Sequence, residues 1–367
     1  MKYIHQLKKW PIFTWSQDVT PLLADTRHKQ GRLSGKMESL GFRQKDEANL
    51  LMLTQDVLKS SEIEGERLNK EQVRSSVARR LGLEIGGLLP SDRNVDGVVE
   101  MMLDATQNFD KPLTETRLFS WHSSLFPTGR SGMSTITVGK WRTDKKGPMQ
   151  VISGPFGKER VHFEAPPPVR LKVEMQAFLK WLNKGLRLDP VLKAAIAHLW
   201  FITIHPFDDG NGRIARAITD MNLARSDKSA RRFYSMSSQI QIERNRYYDL
   251  LEATQKGDLD ITDWLVWFLE CLGRAFDNAE SILASVLAKQ KFWEKNASVG
   301  ISERQKKMIL KLFDGFEGKL TSSKWATLAK CSQDTAHRDI EDLIEKGILK
   351  KEPGGGRSTS YSLLLPK

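Results

Sequence analysis

The sequence predicts a mainly α-helical protein in which one small β-hairpin interrupts the helices and a winged helix closes the C-terminus. Three observations carry this reading. Apolar residues recur at helical spacing through most of the first 290 or so positions. The β-prone pieces are few and short. From about residue 300 the order is helix, helix-turn-helix, then two strands around a glycine run, which is the order of a winged helix. The 367 residues suit two or three domains of roughly 100–200 residues each. Hydrophobic residues at 40 %, with 10 Trp among them, exclude a disordered chain.

Block one, residues 1–95, is helical. Asp46 is the expected cap of a helix carrying Leu50, Leu53, Val57 and Leu58 on one side. That helix runs through Ser60 to Glu64 and stops at Gly65, a residue suited to the left-handed position past a helix end. A second helix starts at Asn69, carries Gln72 in its first turn and the basic run Arg74 to Arg80, and ends near Gly82. Gly86, Gly87 and Pro90 break the chain. Block two, residues 96–290, surrounds an irregular middle, Gly129 to Pro168. There Gln150–Val151–Ile152 and Val161–His162–Phe163 flank a Gly154–Pro155–Phe156–Gly157 turn and read as a hairpin. Pro166 to Pro168 end it and lead into a helix. Val191 to Ile204 is apolar on nearly all sides, so it is the expected buried centre. Block three, residues 291–367, opens on a capping box, Ser302 to Gln305, with Ile301 as a staple. Helices follow at Ser322 to Lys330 and Gln333 to Lys346, the latter striped by Ala336, Ile340, Leu343 and Ile344. Strands at Ile348–Leu349 and Thr359 to Leu363 enclose Pro353 to Arg357.

Composition narrows the function classes. Two cysteines, Cys271 and Cys331, exclude a disulfide framework and a CxxC centre. The opening residues lack the apolar core of a secretion signal, and no uncharged stretch approaches the ~18 residues of a membrane span. The expectation is a cytoplasmic protein with no membrane partner. A formal charge of +12 raises nucleic acid as a partner without fixing it. Residues 301–367 hold 13 Lys and Arg against 9 Asp and Glu, only +4 of that charge. Gln333, His337 and Arg338 face outward at the start of their helix and suit bases or phosphates, so DNA is a candidate partner of this tail, with protein contact as the alternative.

The chemistry is concentrated in Ile204 to Arg216. Pro206 and the glycines force a non-helical turn between two helices. Gly210, Asn211 and Gly212 put backbone N–H groups at the start of the second helix, where unpaired donors and the helix dipole favour an anion. Arg213 and Arg216 share a helix face and can grip phosphate oxygens. Asp209 is a hard carboxylate suited to Mg²⁺ shared with phosphates. His205 has the unperturbed pKa of a general base. Together they make a phosphoryl or nucleotidyl transfer site.

His205 to Arg216 resembles the Fic-domain signature, HPFx[DE]GNGRxxR, at every defined position, and His198 and Phe201 upstream are similar to the family's pattern. The resemblance implies an all-helical Fic-type core with a hairpin flap. It implies transfer of AMP from ATP to a Ser, Thr or Tyr hydroxyl of a target protein. In that scheme His205 deprotonates the hydroxyl, Asp209 holds Mg²⁺, and Gly210, Asn211 and Gly212 cradle the phosphates. Arg213 stabilises the departing pyrophosphate and Arg216 meets the γ-phosphate. The Gln150, Val151 and Ile152 strand is the implied target-docking flap. Ser60, Glu64 and Gly65 are similar to the family's inhibitory motif, [ST]xxxE[GN], and imply that Glu64 pairs with Arg216 in place of the γ-phosphate. Relatives of this layout also imply a homodimer.

Other residues carry plainer readings. His198 reads as structural. Asp208 sits at the signature's variable position and reads as solvated, with assistance to the metal as its alternative. Glu62 and Glu66 read as solvated neighbours of the inhibitory motif. Tyr247 and Tyr248 read either as the border of an adenine pocket or as core. Two rival functions stay open: a nucleotide-sensing DNA-binding regulator, and removal of AMP by the same site.

Overall fold

Local chemistry starts and stops most helices. The structure, a computed structural model, describes the chain except residues 1, 84–87, 144–146, 156, 185–187, 314–317, 354–358 and 365–367 and the side chains of Arg43 and Ser285. Gly86 and Gly87 of the expected break, Phe156 of the hairpin turn, and Gly354 to Arg357 of the wing tip lie outside the described residues. Two compact units divide the chain, residues 1–279 and 280–367.

In the first unit α1 spans Val19–Glu38, α2 Phe42–Ile63 and α3 Lys70–Arg80. Asp46 does not cap α2. The helix begins four residues earlier, after Gly41, whose N–H is taken by the Gln44 side chain, and Asp46 pairs instead with Arg231 at 3.2 Å. A local acidic cap was available, but the chain reached helical geometry before it. The far end of α2 is as expected: Glu64 follows the last helical residue and Gly65 turns left-handed at φ +84°. Asn69 caps α3, accepting from the N–H groups of Glu71 (3.0 Å) and Gln72 (3.1 Å).

Helix α4 (Arg93–Gln107) is capped by Asp92 and α5 (Glu115–Leu125) by Thr114. A short ribbon, β1 (Arg130–Ser131) with β2 (Ser134–Thr135), precedes the hairpin of β3 (Gln150–Ser153) and β4 (Arg160–Glu164). Both ribbons are antiparallel. After α6 (Pro168–Asn183) comes α7 (Pro190–Ile204), in which every residue from Ala194 to Ile204 is buried. Helix α8 (Asn211–Asp227) packs along it, so α7 and α8 form the centre of the unit. Around them lie α9 (Met236–Ile242), α10 (Arg244–Lys256) and the start of α11 (Thr262–Lys295). The N-terminal segment joins this unit by backbone bonds, Thr14 N–H to Leu259 O at 2.8 Å and Ile261 N–H to Thr14 O at 2.9 Å.

The second unit begins within α11 and continues through α12 (Glu303–Phe313), α13 (Ser322–Ala329), α14 (Gln333–Glu345), β5 (Leu349–Lys351) and β6 (Tyr361–Leu363). The expected capping box forms: Ser302 N–H reaches Gln305 Oε1 at 2.9 Å, and Gln305 N–H returns to Ser302 Oγ at 3.2 Å. Trp325, Met308, Ile309, Ile340 and Leu343 fill its core. Asp339 ties three of its helices together, accepting two bonds from Arg304 and one from the Trp325 indole. Among the described residues no helix is long and apolar enough to cross a membrane.

Candidate active site

The turn from α7 to α8 gathers the signature residues. His205 ends α7 in a left-handed conformation, φ 50° and ψ 59°, which costs energy for a residue with a Cβ and persists where the surroundings enforce it. Arg142, 3 % exposed, is the enforcement. Its Nε donates to His205 O at 2.7 Å, its backbone N–H to Pro206 O at 2.9 Å, and its Nη2 to Pro166 O at 2.6 Å.

The His205 ring lies with Nδ1 3.2 Å from the Ile202 carbonyl oxygen. A carbonyl only accepts, so Nδ1 carries the hydrogen and Nε2 keeps its lone pair. Burial, opposed in part by that hydrogen bond, pushes the imidazole down to about 4. At neutral pH it is therefore an uncharged proton acceptor.

Acidic residues of the turn are held rather than loose. Asp209 accepts the Gly210 N–H at 2.5 Å and the Ser131 hydroxyl. Asp208 is not simply solvated, since its Oδ2 accepts the Thr137 N–H at 2.8 Å. His122 supports the turn from beneath, stacked on Phe207 at 4.2 Å with Nε2 donating to Asp209 O at 3.1 Å. Burial pushes the His122 ring down to about 4 as well, so it serves as a neutral spacer.

Gly210 takes φ +79° ahead of α8. The Asn211 side chain turns back to clamp Phe207, accepting its N–H at 3.0 Å and donating to its carbonyl at 2.9 Å. It shapes the loop, leaving the first-turn N–H groups of α8 as the anion donors. Gly212 lets the Glu64 carboxylate come close: an added Cβ would lie 2.0 Å from Glu64 Oε1 and would push that side chain aside. The Glu64 carboxylate rests on the first turn of α8, where an anion is favoured.

Both signature arginines are buried and face carboxylates. Arg216, 1 % exposed, donates from Nη2 to Glu64 Oε1 at 2.8 Å and to Ser60 O at 2.8 Å, and from Nε to Ser60 Oγ at 2.9 Å. Arg213, 3 % exposed, lies over the Phe126 ring at 5.0 Å and donates to Glu66 Oε2 at 2.6 Å. Glu66 is thus exposed, as expected, yet also paired with a signature arginine, whereas Glu62 pairs with Lys59 at 2.6 Å. Arg213 Nε and Arg216 Nη1 are buried donors without a hydrogen-bond acceptor among the described residues.

A cavity of about 630 Å³ opens at this point, lined by Glu64, Gln150, His205, Asp209, Gly212 and Tyr248 among others. Gln150, Val151 and Ile152 form its β3 edge, with Ile152 54 % exposed, and β3 pairs with β4 alone among the described residues. The two tyrosines differ. Tyr247 is 1 % exposed and bonded to His198 Nε2 at 2.9 Å, so it packs as core while also touching the cavity. Tyr248 reaches Ile63 O at 3.4 Å and stacks with Arg244, whose Nε donates to the same carbonyl at 2.8 Å. His198, with Thr219 Oγ1 on its other nitrogen at 2.9 Å, is structural as expected. Arg142, His122, Ser131 and Thr137 escaped the sequence reading because each acts across a long stretch of chain. Glu66 carried a usable signal, a carboxylate two residues past Glu64.

Parts of this chain are similar to known proteins. A model described as the Fic/DOC family matches residues 112–223, and a domain of unknown function, DUF4172, matches residues 3–83. Proteins named "Protein adenylyltransferase Fic" from Culex quinquefasciatus and Drosophila melanogaster are 33 % and 32 % identical over 132 residues. That match covers 35 % of this chain and a quarter, 25 %, of each relative's length. In fold, the chain is similar to the crystal structure of a Fic family protein from Desulfovibrio desulfuricans, with TM-score 0.56 and 20 % identity over 96 % of this chain and 98 % of that one. A Fic domain containing signaling protein from Bacteroides thetaiotaomicron gives TM-score 0.51 and 20 % identity over 74 % and 96 %. The complete signature on the α7–α8 turn and the matching family model lead to one conclusion: residues 112–223 of this chain form a Fic/DOC family domain, and the helical fold is similar to that of a Fic family protein.

Proposed function

We propose that the chain is a protein adenylyltransferase whose own N-terminal helix holds it inactive. The observation that carries the proposal is the pairing of both buried signature arginines with carboxylates at the end of α2, Arg216 with Glu64 and Arg213 with Glu66. Two guanidiniums beside a helix N-terminus make a polyphosphate site, and Glu64 and Glu66 stand where phosphate oxygens of ATP would. With Glu64 displaced, Arg216 receives the γ-phosphate and Arg213 the departing pyrophosphate. His205 Nε2 takes the proton of a target Ser, Thr or Tyr hydroxyl, and the backbone of Gly210 to Gly212 steadies the α- and β-phosphates.

Mg²⁺ fits through Asp209 alone. Among the described residues no group of three or more His, Cys, Asp or Glu forms a metal cage, so the ion would be completed by phosphate and water oxygens, its usual preference. When bound it supplies charge neutralisation to the phosphates. The β3 edge, with Ile152 exposed, suits an extended target segment pairing by backbone bonds.

The test is labelling of lysate proteins with α-labelled ATP. The Glu64→Gly chain should label at least one protein other than itself, and adding His205→Ala should lower that label by roughly 10²–10⁴-fold. Equal labelling without His205 would sink the mechanism. A second reading rests on the Glu64 carboxylate, which lines the cavity beside His205 and is 31 % exposed; placed so, it suits holding a water for AMP removal. Loss of AMP removal in Glu64→Gly would reveal it. For the tail we propose a winged helix that contacts DNA through the exposed Gln333, His337 and Arg338, tested by a salt-dependent gel shift.

A further inference from the structure

The flap hairpin carries a second set of reactive groups on the rim of the same cavity. Along it Val151 pairs with Phe163 but Ile152 pairs with Val161, so His162 is the extra residue of a bulge. Bulges re-aim a side chain, often beside a functional site. Here His162 meets two partners: Nδ1 lies 2.5 Å from Glu252 Oε2 of α10, and Nε2 lies 2.5 Å from Ser153 Oγ.

A carboxylate accepts only, so Nδ1 of the neutral ring carries the hydrogen, Nε2 accepts, and the Ser153 hydroxyl donates. Glu252 is held down to about 2, its desolvation outweighed by bonds from Lys256, His162 and Arg160. It therefore stays ionised and fixes the ring. Hydroxyl, imidazole and carboxylate in this order form the arrangement that turns a serine into a nucleophile. Ser153, His162 and Glu252 line the cavity together with His205 and Asp209, and Ser153 is exposed. The reaction assigned to His205 uses none of the three.

We propose that Ser153 is an acceptor of AMP within the chain itself, activated by His162 and Glu252. His162 Nε2 takes the Ser153 proton as Oγ attacks the α-phosphate of ATP in the cavity. The Oγ–Pα bond forms, the bond from Pα to the bridging oxygen breaks, and its electron pair leaves with pyrophosphate. The proton then passes from the imidazole to solvent. The product is a negatively charged serine phosphodiester at the end of β3, next to the edge offered to targets. This inference rests on the adenylyl-transfer reading, since it needs the same nucleotide.

The experiment uses the full chain with Glu64→Gly, α-labelled ATP and Mg²⁺, with and without lysate, followed by peptide mapping. AMP should appear on the peptide containing Ser153 at a rate independent of protein concentration. His162→Ala should lower it roughly 10²–10⁴-fold, and added imidazole should restore part of it, a rescue that a merely structural role would not give. Glu252→Gln should lower it by a smaller factor. Lysate proteins labelled while Ser153 stays unmodified would overturn this inference and leave the adenylyltransferase reading standing. No label on any protein would overturn both. Ser153 labelling undiminished in His162→Ala would overturn the assigned base.

Discussion

Two regions of α2 lie beside arginine–carboxylate networks, and the two networks differ in burial. Near the middle of α2, Asp56 is 5 % exposed and accepts the Ser235 hydroxyl at 2.5 Å. Beside it Asp220, 1 % exposed, pairs with Arg232 at 2.9 Å, and Arg232 also meets Asp227 at 3.2 Å. Burial, then the neighbouring Asp56, pushes the Asp220 carboxyl well up. At the end of α2 the arginines are equally buried, but the Glu64 and Glu66 side chains are 31 % and 46 % exposed. Removing one member of a fully buried network leaves an uncompensated charge. A half-exposed carboxylate can leave its arginine and be replaced by water or another anion. One region therefore anchors α2 and the other latches it.

The largest expected effect breaks the anchor. Arg232→Ala should cost about 3–5 kcal/mol, read as a lower denaturant midpoint, while Glu64→Gly shifts that midpoint far less. If the two midpoints fall equally, the division into anchor and latch is wrong. Next, Glu64→Gly should raise labelling of lysate proteins roughly 10–100-fold, the equivalent of the ~1.5–3 kcal/mol of a hydrogen bond to a charged group. Glu66→Ala should raise it only about two- to fivefold, because a more exposed pair contributes less. A larger effect for Glu66 than for Glu64 would reverse the assignment of the main latch.

The smallest effect is on pH. His205 is pushed down to about 4, so the proton acceptor is neutral at every pH above that. Labelling by Glu64→Gly should be nearly flat from pH 8 to 6 and fall as the pH approaches the His205 value. Since the Glu64 charge raises that value, its removal should move the fall to lower pH. A loss of activity centred near pH 6.5 would show an exposed, ordinary histidine in this role.

Much of this was legible because it is local. The α8 start, the end of α2 at Gly65, the Asn69 cap and the capping box at Ser302 each depend on residues within a few positions. Asp46 failed as a cap because the helix begins earlier, after Gly41, and its ion pair with Arg231, far along the chain, was not legible. The pairing of Glu66 was not legible because its partner Arg213 is on another helix.

The sequence by itself determined the helical class, the signature turn and the candidate carboxylates Glu64 and Asp209, since spacing along one chain suffices to state them. Tertiary structure alone decided which groups meet. It set Arg142 behind the strained His205, brought Glu66 to Arg213, and turned His162 out of register between Ser153 and Glu252. The physical reason is that hydrogen bonds and ion pairs act over about 3 Å, and only packing brings residues so distant in sequence within that reach.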